Sequence, residues 1–120
     1  MKDPDLIRPE TPADFRAVET LVRNAFWNVY RPGCMEHFVL HTLRNDPDFV
    51  PELSLVLEQS GVLLGQAAGV RANIALQNGG TLPVLNLGPL CIAPSHQRQG
   101  LGRRLLNTML EKAAALGFGA

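Results

Sequence analysis

The chain has 120 residues, room for one domain and not for two, and 46% of them are apolar, enough for a real core. Eleven Lys and Arg balance eleven Asp and Glu, so the formal net charge is zero, which speaks against a general nucleic-acid binder. No apolar run approaches the length of a membrane span, and the opening Met1-Lys2-Asp3-Pro4-Asp5 lacks the apolar core of a signal peptide.

Leu6-Ile7-Arg8 reads as a short strand ended by Pro9. Thr11, Pro12 and Asp14 then carry the signature of a helix start, with Thr11 capping, Pro12 in the first turn and Asp14 reaching back as in a capping box. Phe15, Val18, Leu21, Val22 and Phe26 follow at helical spacing and predict one apolar stripe. Pro32-Gly33 breaks the pattern, and a second helix is expected from about Met35 to Arg44, with Met35, Phe38, Val39 and Leu43 inward. Asp46-Pro47-Asp48 and Pro51 mark a loop.

Leu53, Leu55 and Leu57 alternate with Ser54, Val56 and Glu58, the pattern of a half-buried strand. Gln59-Ser60-Gly61 is a tight turn, and Val62 to about Ile74 is the next strand, with Gly65 and Gly69 allowing a bend or bulge. These two strands should form an antiparallel hairpin. Asn78-Gly79-Gly80 is another turn, and Pro83 to Ile92 reads as a central strand. Pro89 cannot donate to a ladder, so that strand should splay or bulge near Gly88-Pro89. The last helix is expected from about Gly100 to Leu116, burying Leu101, Leu105, Leu106, Met109, Leu110, Ala113 and Leu116. Gly117 is its natural C-terminal cap, with Phe118 packing back. Cys34 and Cys91 fall in a helical and a strand-like segment, so both read as reduced core thiols, and a cytoplasmic setting is the default.

The most informative stretch lies between the apolar run Leu85 to Ile92 and the last helix: Gln97-Arg98-Gln99-Gly100-Leu101-Gly102. A helix that opens after a glycine turn points unpaired backbone N–H groups at one spot, and its dipole adds positive potential there. Such a spot suits a phosphate or diphosphate, and Arg98, Arg103 and Arg104 make the surroundings basic. No Gly-Lys-Ser/Thr is present, so a nucleotide P-loop is excluded. Gly100 and Gly102 are followed by Arg103-Arg104-Leu105 without a third glycine, so the dinucleotide fingerprint fails as well.

Gln97-x-x-Gly100-x-Gly102 resembles the acetyl-CoA-binding signature of the GCN5-related N-acetyltransferase (GNAT) family. Leu87-Gly88-Pro89-Leu90-Cys91-Ile92-Ala93-Pro94 resembles the family's fourth strand, and the Leu105-Leu106, Ala-rich helix also matches. The resemblance implies an α/β (α+β) fold with a mixed, mainly antiparallel sheet flanked by helices, in the order β-α-α-β-β-β-α. It implies acetyl-CoA as co-substrate, held by Gln97, Arg98, Gln99, Gly100, Leu101, Gly102 and Arg103 at the diphosphate, and by the splayed strand near Cys91 and Ile92 at the pantetheine arm. It implies an N-acetyltransferase in which a primary amine attacks the thioester directly, with a backbone amide near Leu90 or Ile92 polarising the carbonyl.

The candidates for the base are Glu36, His37 and His41 on the second helix, which in this family borders the acceptor pocket, although each fits a solvated helix surface too. His96 falls beside the expected diphosphate loop, and Trp27 and Tyr30 are candidates for the acceptor site or the rim of the core. Cys91 has no visible base partner and reads as a buried thiol rather than a nucleophile. No Cys/His cluster has metal-ligand spacing, so no metal is expected. The sequence stops at Gly117-Phe118-Gly119-Ala120, where family members begin a fifth strand, followed by another helix and a closing hairpin. A chain of this extent supplies one wall of the cofactor cleft and leaves the fourth strand as an apolar edge that invites a second copy, so a homodimer is among the expected partners. The alternative expectation is a truncated, weakly active or inactive module that binds acetyl-CoA or dimerises. The acceptor amine is not legible, and neither nucleic acid nor membrane is expected as a partner.

Overall fold

A computed structural model describes residues 6–29 and 33–118. It has four strands, β1 (Leu6–Pro9), β2 (Leu55–Gln59), β3 (Val62–Ala75) and β4 (Thr81–Ile92), and three α-helices, α1 (Phe15–Phe26), α2 (Glu36–Leu43) and α3 (Leu101–Ala115). The strands form one antiparallel sheet in the order β1-β2-β3-β4. This is the α+β arrangement expected from the order of elements.

The start of α1 follows the chemistry of its sequence. Thr11 donates its backbone N–H to Asp14 Oδ2 at 2.8 Å, while the Asp14 N–H donates to the Thr11 carbonyl at 2.8 Å. A 3-10 turn over Pro12–Asp14 leads into the helix. Arg8 of β1 reaches the same carboxylate at 2.8 Å, tying the helix start to the sheet.

Helices cover both faces of the sheet. On one face α3 sends Leu101, Leu105, Met109 and Ala113 onto Leu55, Leu57, Ala67 and Ile92. Gly65 makes this close packing possible, because a Cβ there would lie 2.7 Å from Ile92 Cδ1 and 3.3 Å from Leu105 Cδ2. On the other face α1 and α2 pack Val18, Leu21, Val22 and Leu40 against Val56, Ala68 and Cys91. β2 therefore lies between two cores, and Leu55, Val56 and Leu57 are all buried, as are Leu53 and Ser54 before it. The half-buried alternation expected there does not hold, since a strand covered on both sides has no solvent face.

Other expectations are corrected by packing. α2 turns Leu40 inward and leaves Met35, Phe38 and Val39 about half exposed; Leu43 is half-buried. The helix is short and meets the core through one residue, so its hydrophobic pattern did not define a face. Leu110 and Leu116 of α3 are each 50% exposed, whereas Leu101, Leu105, Met109 and Ala113 form the buried stripe. β4 is not central: among the described residues it pairs only with β3 and forms an edge. Its expected irregularity is present, since Ala67 faces Leu90 and Gly69 faces Leu87, leaving Gly88 and Pro89 opposite the single residue Ala68. Cys34 lies in the connection before α2 and is only partly buried, so it is neither helical nor a core thiol. α3 ends as expected, with Gly117 at φ 94° and the Phe118 N–H donating to the Ala113 carbonyl at 3.0 Å.

Candidate active site

β4 delivers the chain to the glycine loop. The Ala93 N–H donates to the Leu64 carbonyl at 2.7 Å, holding the strand exit, and a 3-10 turn over Pro94–His96 follows. Gln97 folds back and donates from Nε2 to the Ile92 carbonyl at 3.1 Å. Its side chain therefore braces the loop against the strand, and it occupies one of the backbone groups that sequence reading left free for a ligand. Arg98 adopts φ 65° and Gly100 φ 82°, two left-handed residues that swing the chain into α3. That conformation costs a non-glycine residue about 1–2 kcal/mol, so its presence at Arg98 marks a backbone shaped for something other than local comfort.

The N-terminus of α3 has no side-chain cap; Gly100 occupies the cap position, and its carbonyl accepts from the Arg104 N–H at 3.2 Å. Leu101, Gly102 and Arg103 form the first turn, where a helix has no internal acceptors for its N–H groups. Nothing lies within 4 Å of a Cβ built on Gly100, so the approach to these amides is open. The loop residues Gln97, Arg98, Gln99, Gly100 and Arg103 are exposed, Gly102 is half-buried and Leu101 is buried beneath them. Such an uncapped, open helix start has the unpaired donors and the dipole that suit an anion.

A cleft of about 360 Å³ runs from this helix start along β4, lined by Ala25, Phe26, Val29, Leu90, Cys91, Ile92, Gln97, Arg98 and Gly102. The structure thus brings together Cys91, Ile92, Gln97, Arg98 and Gly102 from strand, loop and helix. Sequence reading missed Ala25, Phe26 and Val29 as lining residues, while Leu90 was expected there for its backbone amide. The signal available for Ala25 and Phe26 was the apolar stripe of α1, which extends past the core to its C-terminal end; Val29 lies beyond that helix. Burial pushes the Cys91 thiol up to about 12, and its Sγ lies 3.7 Å from Gln66 Oε1 with no base beside it. It is a wall, not a nucleophile.

The other candidates lie elsewhere. Glu36 accepts the Met35 N–H at 3.0 Å and so serves its own helix start. His37 Nδ1 lies 3.5 Å from Cys34 Sγ, and His41 Nδ1 lies 3.0 Å from Glu19 Oε1. Both histidines line a second groove, of about 540 Å³, between α1 and α2. None of Glu36, His37 and His41 lines the cleft beside β4. His96 Nδ1 lies 2.7 Å from Ser95 Oγ, within the loop. Trp27 is 48% exposed under the Arg23 guanidinium, which sits 4.3 Å from its ring. Tyr30 lies outside the described residues. Among the described residues there is no metal-ligand cluster, and no helix is long and apolar enough to cross a membrane.

The comparisons with known proteins agree with this geometry. The sequence model of the acetyltransferase (GNAT) family matches residues 19–120. Among solved structures, a GNAT-family acetyltransferase from Brucella melitensis in complex with acetyl-CoA is 27% identical and superposes with a TM-score of 0.85, over 97% of this chain and 72% of that one. A GNAT-family N-acetyltransferase from Escherichia coli in complex with CoA is 26% identical with a TM-score of 0.80, over 97% of this chain and 59% of that one. A GNAT-family acetyltransferase from Staphylococcus aureus, 16% identical, shares the fold with a TM-score of 0.70, over 100% of this chain and 84% of that one. No curated protein matches the chain.

Proposed function

The chain belongs to the acetyltransferase (GNAT) family, and on that premise we propose that it binds acetyl-CoA and transfers the acetyl group to a primary amine by direct attack. The observation that carries this reading is the uncapped N-terminus of α3, opening onto a cleft along the free edge of β4. The Brucella melitensis and Escherichia coli structures, with acetyl-CoA and CoA, support the choice of ligand.

Acetyl-CoA supplies an activated thioester carbon when bound. The protein's part begins with the amides of Gly100, Leu101, Gly102 and Arg103, which hold the diphosphate, with Gln99 adjoining. Arg98 and Arg103 add positive charge at the loop, and Gln97 keeps the loop against β4. Alternate backbone groups of an edge strand face outward, so Leu90 and the Ile92 N–H offer main-chain partners to the amides of the pantetheine arm, the Ile92 carbonyl being taken by Gln97. An outward amide there also polarises the acyl carbonyl. Ala25, Phe26 and Val29 add apolar lining to the cleft beside the arm. The attacking amine must be neutral, and the described lining of the cleft holds no carboxylate or imidazole to deprotonate it.

That last observation favours a second reading, a module that holds acetyl-CoA without turnover. The chain spans 59% of the Escherichia coli relative. The test runs in two stages. Calorimetry with CoA is expected to show saturable binding, and its absence would reject both readings. Thiol release from acetyl-CoA with a panel of primary amines is then expected to exceed the rate without amine. Binding without such release selects the second reading. The open β4 edge is proposed to pair with a second copy, for which sedimentation velocity should show a concentration-dependent dimer. Cys34 and Cys91 are both free thiols, which suits a cytoplasmic setting.

A further inference from the structure

A second groove lies apart from the one beside β4. It lies between α1 and α2, has a volume of about 540 Å³ and is lined on its polar side by Arg16, Glu19, Arg23, His37, His41 and Arg44. The charges in it are unevenly committed. Arg44 is spent on Glu10 and Glu19, at 2.9 and 2.7 Å, and Glu19 also meets His41 at 3.0 Å. The one carboxylate lining the groove, Glu19, is thus already engaged by Arg44 and His41. Arg16 and Arg23 stand seven residues apart on α1, about 10 Å at the helical rise, and both are exposed. Arg23 is held in place over the Trp27 ring. The groove therefore presents positive charge to an incoming molecule.

A nucleophile, Cys34, is not part of the groove lining but stands beside it, next to two residues that are. Cys34 Sγ lies 3.5 Å from Nδ1 of the groove-lining His37 and 3.5 Å from the Arg23 carbonyl, and the residue is partly exposed. A thiol paired with an imidazole, in a positive and accessible setting, is the arrangement in which cysteine reacts. Cys91 is the internal contrast: it is buried and has no imidazole beside it.

We propose that Cys34 and His37, together with the cationic α1–α2 groove, form a thiol–disulfide exchange site for anionic, low-molecular-mass disulfides. His37 Nδ1 takes the Sγ proton, and the thiolate attacks one sulfur of the disulfide. A Cys34–S–S bond forms as the original S–S bond breaks, and the departing thiolate recovers the proton from His37. Cys34 is oxidised to a mixed disulfide, and one half of the incoming disulfide is reduced to a thiol. Arg16 and Arg23 select for negative charge in the incoming molecule.

The experiment treats the reduced full-length chain with glutathione disulfide or with cystamine, an anionic and a cationic disulfide, at equal concentration. Intact mass spectrometry follows the adduct, and peptide mapping locates it. A single adduct on Cys34 is expected, forming about tenfold faster from glutathione disulfide at low salt. His37→Gln is expected to slow both reactions severalfold. The paired change Arg16→Gln and Arg23→Gln should abolish the preference between the two disulfides while leaving the cystamine rate in place. The proposal is overturned by an adduct on Cys91, by cystamine reacting as fast as glutathione disulfide, or by an unchanged rate in His37→Gln. Arg16 is an exposed surface residue, so Arg16→Gln alone keeps the charge test readable if the double variant folds poorly.

Discussion

The two faces of the sheet are held by different forces. On the α3 face, four helix residues one or two turns apart bury apolar surface against Leu55, Leu57 and Ile92, and the contact is continuous. On the α1–α2 face, α2 contributes Leu40 alone to the core, and its C-terminal end is anchored instead by Arg44. That guanidinium bonds both oxygens of Glu10, at 2.9 and 3.0 Å, bonds Glu19 at 2.7 Å, and lies 4.0 Å from the centre of the Phe15 ring. Ser54 Oγ donates to Glu10 at 2.7 Å and completes the cluster. An element fastened by directional bonds can leave apolar side chains outside, as α2 leaves Met35, Phe38 and Val39. An element fastened by packing must instead keep one continuous apolar stripe buried, as α3 does with Leu101, Leu105, Met109 and Ala113. The same division separates the two sites. The proposed anion site needs a rigidly packed helix whose first turn is open, whereas the α1–α2 groove is built from side-chain charge.

The sharpest way to break this comparison is Arg44→Ala. The side chains of Arg44 and Glu10 are 7% and 3% exposed, so removing the cation leaves a buried carboxylate uncompensated. A loss of about 3–5 kcal/mol is expected from urea unfolding; a loss below about 1 kcal/mol would show that the ion cluster does not anchor α2. Leu105→Ala attacks the other face. Leu105 is fully buried in the α3 core, and the expected cost is about 2–5 kcal/mol by the same measurement.

Gly100→Val addresses the proposed anion site rather than the core. At φ 82° a β-branched residue is strained by about 1–2 kcal/mol, and its side chain stands where an anion would approach. CoA affinity should fall about a hundredfold by calorimetry, the equivalent of losing about one strong hydrogen bond to a charged group. A near-native affinity would place the diphosphate elsewhere.

Asp14→Asn gives a smaller, pH-dependent effect. Arg8, and then the Thr11 N–H, hold the Asp14 carboxyl well below the usual carboxylate range. A carboxyl depressed on folding contributes stability that is fully present above its unfolded value of about 3.9 and is lost as the pH falls toward its folded value. The variant should therefore be less stable than the parent at neutral pH, with the gap narrowing as unfolding is measured at progressively lower pH below about 4. Leu110→Ala should change least, within about 0.5 kcal/mol, because half of that side chain is already in water. It forms a matched pair with Leu105→Ala on one helix, and equal costs for the two would contradict the assigned buried face.

Legibility in the sequence followed the range of the interaction. The capping box at Thr11 and Asp14, the turn at Ser60-Gly61 and the Gly117 stop of α3 are each settled within a few residues, and all were readable. The glycine loop was readable for the same reason: a helix start without a capping side chain is a local property. The phase of α2 was not, because Leu40 is chosen over Phe38 and Val39 by the position of α1 and the sheet. Leu110 and Leu116 were misassigned because α3 rests on the sheet along a narrow line, whose width no helical period reveals.

What this chain settles by sequence alone is the set of elements, the bulge forced by Gly88-Pro89 and the uncapped, glycine-led turn into α3. Backbone φ, proline's missing donor and the helix dipole act over a few residues, so they are written where they occur. Tertiary structure alone decided that β2 is buried on both faces and that β4 lies at an edge among the described residues. It also placed Arg44 between Glu10 and Glu19, respectively 34 and 25 residues away in the chain, and the two histidines on a groove separate from the cleft. These depend on which surfaces meet when helices close over a sheet, and sequence distance carries no record of that.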